Sequence, residues 1–135
     1  MPDSPRTDYL TGIFHETMVA LVRRDGPDLS ARQMAVLLTC YMIDAPHTVR
    51  GLALALNVSK PAITRALDRL TDFDLIRRKI DSTDRRSVLI QRTAKGAAFL
   101  RELRMIMSAS GNDDRDIPAA APMSRRRTSP QSSKP

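Results

Sequence analysis

Residues 48–70 read Thr-Val-Arg-Gly-Leu-Ala-Leu-Ala-Leu-Asn-Val-Ser-Lys-Pro-Ala-Ile-Thr-Arg-Ala-Leu-Asp-Arg-Leu, and residues 75–92 read Leu-Ile-Arg-Arg-Lys-Ile-Asp-Ser-Thr-Asp-Arg-Arg-Ser-Val-Leu-Ile-Gln-Arg. The first stretch predicts two short helices. Thr48 is the N-cap of one, which buries Leu52, Ala53 and Leu56, and Asn57 suits a left-handed exit. Ser59 caps the next, whose apolar positions Ile63, Ala66, Leu67 and Leu70 recur at i, i+3, i+4 and i+7. That spacing leaves Lys60, Pro61, Thr64, Arg65 and Asp68 on the open face, with Arg69 a turn further on. The second stretch predicts two strands, Leu75–Ile80 and Ser87–Gln91, around a tip of turn formers and cations from Asp81 to Arg86.

Charge is concentrated in the same region. Residues 50–95 hold eleven Lys or Arg against five acids, and the whole chain has a net charge of +7. A localised positive field favours a polyanion, because each phosphate contact releases condensed counterions. Charge by itself fits RNA or an anionic membrane equally well. Helix N-terminal residues reach base edges in a major groove, which makes Lys60, Thr64 and Arg65 the candidates for readout of duplex DNA, with Ser59, Pro61 and Arg69 also assigned to DNA binding. Arg85 and Arg86 at the hairpin tip suit a narrow minor groove. Asp84 makes little sense against phosphate and is expected to hold a neighbouring guanidinium in one orientation.

Outward from this centre, Met1–Thr7 contains two prolines and is expected to fray. A helix is predicted from Asp8 to Arg24, with Leu10, Ile13, Phe14, Met18 and Leu21 along one apolar stripe. Ser30, with Gln33 at the capping-box position, opens a second helix through Ile43 that turns Met34, Leu37, Leu38 and Tyr41 inward. Asp44–His47 is read as a turn. Thr93 is expected to cap a last helix ending near Ser108, carrying Leu100, Leu103 and Met107, before Gly111-Asn112 breaks the pattern. Residues 109–135 are rich in Pro, Ser, Ala and Arg, and are expected to form a disordered basic tail.

At 135 residues the chain is about one domain, and its 4% aromatic content without Trp implies an aliphatic core. One cysteine makes no internal disulfide, and with no leader pattern or long apolar run a cytoplasmic location is expected, with no membrane role. Cys40 reads as a small core residue. The two histidines stand apart without metal-ligand spacing, and no glycine-rich phosphate loop occurs, so neither enzymatic chemistry nor a cofactor is expected.

The chain resembles the winged-helix regulators of the MarR family over about residues 8–108. The matching pieces are Leu29-Ser30-Ala31-Arg32-Gln33, Leu52-Ala53, Val58-Ser59-Lys60-Pro61, Leu67-Asp68-Arg69-Leu70, Leu75-Ile76-Arg77-Arg78, Asp84-Arg85-Arg86 and Thr93-Ala94-Lys95-Gly96. The resemblance implies a mainly α fold with a small β-hairpin, a winged helix-turn-helix flanked by N- and C-terminal dimerisation helices. It also implies a homodimeric transcriptional regulator, usually a repressor, on a pseudo-palindromic operator. Leu10, Ile13, Phe14, Met18, Leu21, Leu100, Leu103 and Met107 would then serve dimerisation. Family members often take small-molecule effectors, for which Phe14, Met18 and Tyr41 are available here, but the composition names no ligand. Asp74 stands where the family usually has glycine, Arg92 where it has an apolar residue, and Gly51 where an acid is common. A different class of function stays open: a winged-helix adaptor that binds a protein partner through its first helix or its tail.

Overall fold

The computed structural model describes residues 4–112, so the expectations for residues 1–3 and for most of the basic tail lie outside the described residues. The element order is α1 (Pro5–Arg23), α2 (Ala31–Met42), β1 (His47–Thr48), α3 (Val49–Leu56), α4 (Lys60–Asp72), β2 (Ile76–Ile80), β3 (Val88–Arg92) and α5 (Ala94–Asn112). They group into two compact units, one spanning residues 25–103 and one joining the residues up to Arg24 with those from Arg104 onward.

In the unit of residues 25–103, the caps form where the sequence predicts them. Ser30 Oγ accepts from Gln33 N at 3.1 Å while Gln33 Oε1 accepts from Ser30 N at 2.9 Å. Thr48 Oγ1 accepts from Gly51 N at 3.0 Å and Ser59 Oγ from Ala62 N at 3.2 Å. Each cap satisfies an amide that the helix itself leaves unpaired. Asn57 leaves α3 in the left-handed region with φ 56°. Asp74 does the same after α4 with φ 59°, where Asp74 N donates to Thr71 O and Leu75 N to Leu70 O, both at 2.9 Å. That pair of bonds is the glycine-type helix stop, built here on an aspartate.

Aliphatic side chains fill this unit: Val36, Leu37, Leu52, Ile63, Leu67, Leu70, Leu75 and Ile76 are all but inaccessible. The buried face of α2 is rotated from the predicted stripe. Val36 and Cys40 are buried with Leu37, while Met34, Leu38 and Tyr41 are half-buried. The three strands form an antiparallel sheet in the order β1-β3-β2. Residues 44–47, read as a turn, are corrected at their end: His47 pairs with Ile90 and Thr48 with Leu89. A two-residue strand has no periodicity to betray it, and only pairing with β3 defines it.

The start of α5 is tied to α2 by a small polar knot. Tyr41 Oη donates to Leu75 O at 2.6 Å and accepts from Thr93 N at 2.9 Å. Thr93 Oγ1 donates to Asp74 O at 2.7 Å and accepts from Gly96 N at 2.9 Å. A Cβ at Gly96 would collide with the Tyr41 hydroxyl and with Leu75 O, so only glycine fits. Arg92, the polar departure before Thr93, has a definite task. Its Nε donates to Cys40 O at 3.0 Å and its guanidinium lies 5.7 Å from the Tyr41 ring centroid, placing a cation at the C-terminal end of α2.

The other unit pairs α1 with the end of α5. The N-terminal boundary is corrected: Ser4 caps α1, and Pro5–Thr7 are already helical because proline suits a first turn. The predicted apolar stripe splits into two faces. Thr17 is buried and Ile13 and Leu21 half-buried, whereas Leu10, Phe14 and Met18 are exposed, Phe14 by 65%. α5 runs to Asn112 rather than ending near Ser108. Gly111 permits close approach instead of breaking the helix: Tyr9 Oη donates to Gly111 O at 3.1 Å. Among the candidate dimerisation residues of α5, Met107 is exposed while Leu100 and Leu103 are buried within the chain and unavailable as surface.

Candidate nucleic-acid interface

The period of α4 separates its two faces cleanly. Ala62, Ile63, Ala66, Leu67 and Leu70 are buried, and Lys60, Pro61, Thr64, Arg65, Asp68 and Arg69 are exposed. Ser59 at the cap is exposed as well. The open face therefore carries three cations, the hydroxyls of Ser59 and Thr64, the ring of Pro61 and one carboxylate, Asp68, a mainly donating composition suited to base edges and phosphates.

Two of the charged side chains on α4 are already engaged. Asp68 Oδ1 accepts from Arg78 Nη1 of β2 at 2.7 Å, an exposed bridge that joins the helix to the base of the hairpin. In such solvent it adds little stability, but it limits how the two elements turn against each other. Arg69 lies with its guanidinium carbon 4.7 Å from the Phe73 ring centroid. That stacking draws Arg69 toward the end of the helix and away from Lys60.

The hairpin tip is organised by its own aspartates. Asp81 Oδ1 accepts from Thr83 N at 2.9 Å and from Thr83 Oγ1 at 2.8 Å. These bonds, the backbone one foremost, hold its carboxyl below the ordinary value. Asp84 Oδ1 accepts from Arg86 N at 3.1 Å and Asp84 Oδ2 from Ser87 Oγ at 3.1 Å. The expectation for Asp84 is thus corrected. It fixes the backbone beneath Arg86 instead of gripping a guanidinium, because an Asx turn two residues long forms without ordering a long side chain. Arg85 and Arg86 are both exposed.

Between the starts of α3 and α4 and the hairpin lies a cavity of about 440 Å³, lined by Thr48, Arg50, Lys60, Asp84, Arg86 and Ser87 among others. The fold thereby brings Lys60, Asp84 and Arg86 together. It adds Arg50, which the helical pattern leaves unassigned. A second notch of about 270 Å³ is lined by Ser30, Arg32, Gln33 and Arg65 together with Ala62 and Ala66. Arg32 is likewise absent from the sequence-based candidates, although a cation two residues after a capping serine is a readable signal, since the first turn normally favours acids.

Helix-turn-helix followed by a β-hairpin, with a polar second helix and a cationic tip, defines a winged-helix protein of the nucleic-acid-binding class. Residues 29–88 match the family model described as MarR family. Over those residues the chain carries the winged-helix region of the MarR family. Over 91 residues it is 33% identical to the HTH-type transcriptional regulator PecS of Dickeya dadantii, a match covering 66% of this chain. The match spans 53%, about half, of that relative's length. A mutant of Staphylococcus aureus MepR superposes with a TM-score of 0.66 at 20% identity, covering 79% of this chain and 76% of that one. A MarR-family regulator from Rhodococcus sp. RHA1 gives 0.60 at 23% identity, with 84% and 79% coverage. A structure of reduced AbfR bound to DNA gives 0.57 at 22%, with 76% and 70% coverage. These likenesses concern the fold.

Proposed function

We propose that the protein is a sequence-specific double-stranded DNA-binding transcriptional regulator that acts in the cytoplasm as a homodimeric repressor on a pseudo-palindromic operator. The observation that carries this reading is the convergence of Lys60, Thr64, Arg65 and Arg86 on the exposed side of one small unit whose opposite side is apolar core. In this reading α4 occupies the major groove, with Thr64 and Arg65 at base edges, while the hairpin tip follows the adjacent minor groove. Ser59, Lys60 and Pro61 lie at the helix entrance close to the phosphates. The DNA-bound AbfR structure shares the fold and supports the same use of it. Dimerisation is assigned to the exposed ridge of Leu10, Phe14 and Met18 on α1, with Met107 of α5. Two-fold symmetry of the protein would then be mirrored in the operator.

Selection from a random duplex pool tests the proposal, with Arg65→Ala and Arg86→Ala as comparisons. Recovery of a two-fold-symmetric motif is expected. Arg65→Ala should relax one or two base pairs in it, at a cost of about 1–3 kcal/mol in discrimination. Binding that selects no motif and only fades with salt would overturn the reading in favour of a protein-binding adaptor.

A further inference from the structure

Every described helix carries a cation in its first turn: Arg6 in α1, Arg32 in α2, Arg50 in α3, Lys60 in α4 and Lys95 in α5. α1 offsets Arg6 with Asp8, whereas α2, α3, α4 and α5 have no acid in the first turn. A helix N-terminus carries roughly half a positive charge, so a cation there opposes helix stability where an acid would support it. Gly51, next in the same turn, leaves the Arg50 charge without a neutralising neighbour. Where two such starts, those of α3 and α4, line the same cavity, the placement points to an anion that arrives from outside the chain.

Arg50 is joined by further cations. It lines the cavity of about 440 Å³ with Lys60 and Arg86, so three cations from α3, α4 and the hairpin tip face one polar space. Asp84 lines it too, but both of its oxygens are engaged, by Arg86 N and by Ser87 Oγ. Three cations against one occupied carboxylate leave a net positive, polar hole with ample room for an oxyanion.

We infer that Arg50 is a ligand for the DNA backbone: with Lys60 and Arg86 it receives a single phosphodiester in the notch between α3, α4 and the hairpin. The inference rests on the DNA-binding reading and deepens it. Thr64 and Arg65 read bases, while Arg50 fixes the register of the duplex without regard to sequence. Because the ligand is a phosphodiester of the polymer, the contact acts equally on any duplex.

The test uses the full chain with Arg50→Gln and Arg50→Glu, and Arg101→Gln on the exposed surface of α5 as a charge-matched control. Affinity for the selected duplex and for a random-sequence duplex is measured against salt, and the free protein is melted. For Arg50→Gln, both duplexes should weaken by the same factor, about tenfold, and the salt slope should fall by about one ion. The melting temperature should hold or rise, most of all for Arg50→Glu, while Arg101→Gln leaves affinity unchanged. Inorganic phosphate at constant ionic strength should not displace the duplex.

A fall in melting temperature parallel to the affinity loss would make Arg50 merely structural and overturn the inference. Equal losses from Arg101→Gln, or displacement by inorganic phosphate, would overturn it as well. Unchanged affinity and slope in Arg50→Gln, with the wild type still selecting its motif, would sink this contact and leave the functional reading standing. Absence of any duplex binding by the wild type would remove the functional reading itself.

Discussion

The hydroxyl of Tyr41 occupies the space that a side chain at Gly96 would need, and the same hydroxyl bridges Leu75 O and Thr93 N. One atom thus explains two sequence features, a half-buried tyrosine on α2 and a glycine in the first turn of α5. Gly96→Ala is expected to destabilise the chain by about 1–3 kcal/mol or more, the range for overpacking a filled site. Tyr41→Phe should cost about 1–3 kcal/mol, since Leu75 O and Thr93 N lose a partner. Combined, the two should cost less than their sum, because removing the hydroxyl relieves part of the clash. Chemical denaturation of the four proteins measures the coupling.

Asp74 holds a left-handed backbone at φ 59° where glycine has no steric penalty. Asp74→Gly should therefore stabilise the fold by about 0.5–1 kcal/mol, read as a rise in melting temperature. No change or a decrease would show that the aspartate side chain contributes something the backbone geometry does not reveal.

The hairpin tip should respond to acid through Asp81. Its folded-state carboxyl lies below the ordinary value, so its contribution is present above the unfolded value of about 4 and is lost as pH falls through the lower folded one. Asp81→Ala should remove that acid-side dependence from DNA affinity and weaken binding a few-fold at neutral pH, with melting almost unaffected. An identical affinity-versus-pH curve in the variant would sink the assignment.

Cys40 is buried at 2% exposure, and that burial pushes its thiol up to about 11, against a smaller downward pull from Arg92. The thiolate is the reactive form, so alkylation at pH of about 8 should be slow in the native protein and complete once it is unfolded. Peroxide treatment should likewise leave duplex affinity unchanged. Rapid native-state alkylation would reopen a redox role.

Much of the fold is legible in the residues alone. The caps at Ser30, Thr48 and Ser59 are local, so side-chain chemistry and spacing locate them. The buried positions of α4 follow from its period for the same reason. β1 is not legible, because two residues become a strand only by pairing with Ile90 and Leu89. Gly111 reads as a break, since a glycine that ends a helix and one that admits a tyrosine hydroxyl look alike in sequence. The Asp84 carboxylate has too many cations nearby in sequence to choose from, and its partners in the fold are a backbone amide and a serine. Arg50 is silent in the sequence because a helical wheel records which way a residue faces, not which other element stands opposite.

Thr48 belongs at once to the sheet, opposite Leu89 of the hairpin, and to the cap of α3, two residues before Arg50. The hairpin and the start of α3 are therefore joined through this one residue. On the proposed DNA-binding reading, that link leaves misfit against a duplex to be taken up largely by the duplex. Base pairs that the protein never touches then acquire a preference through how readily they bend, so operators should be ranked by flexibility as well as by letters.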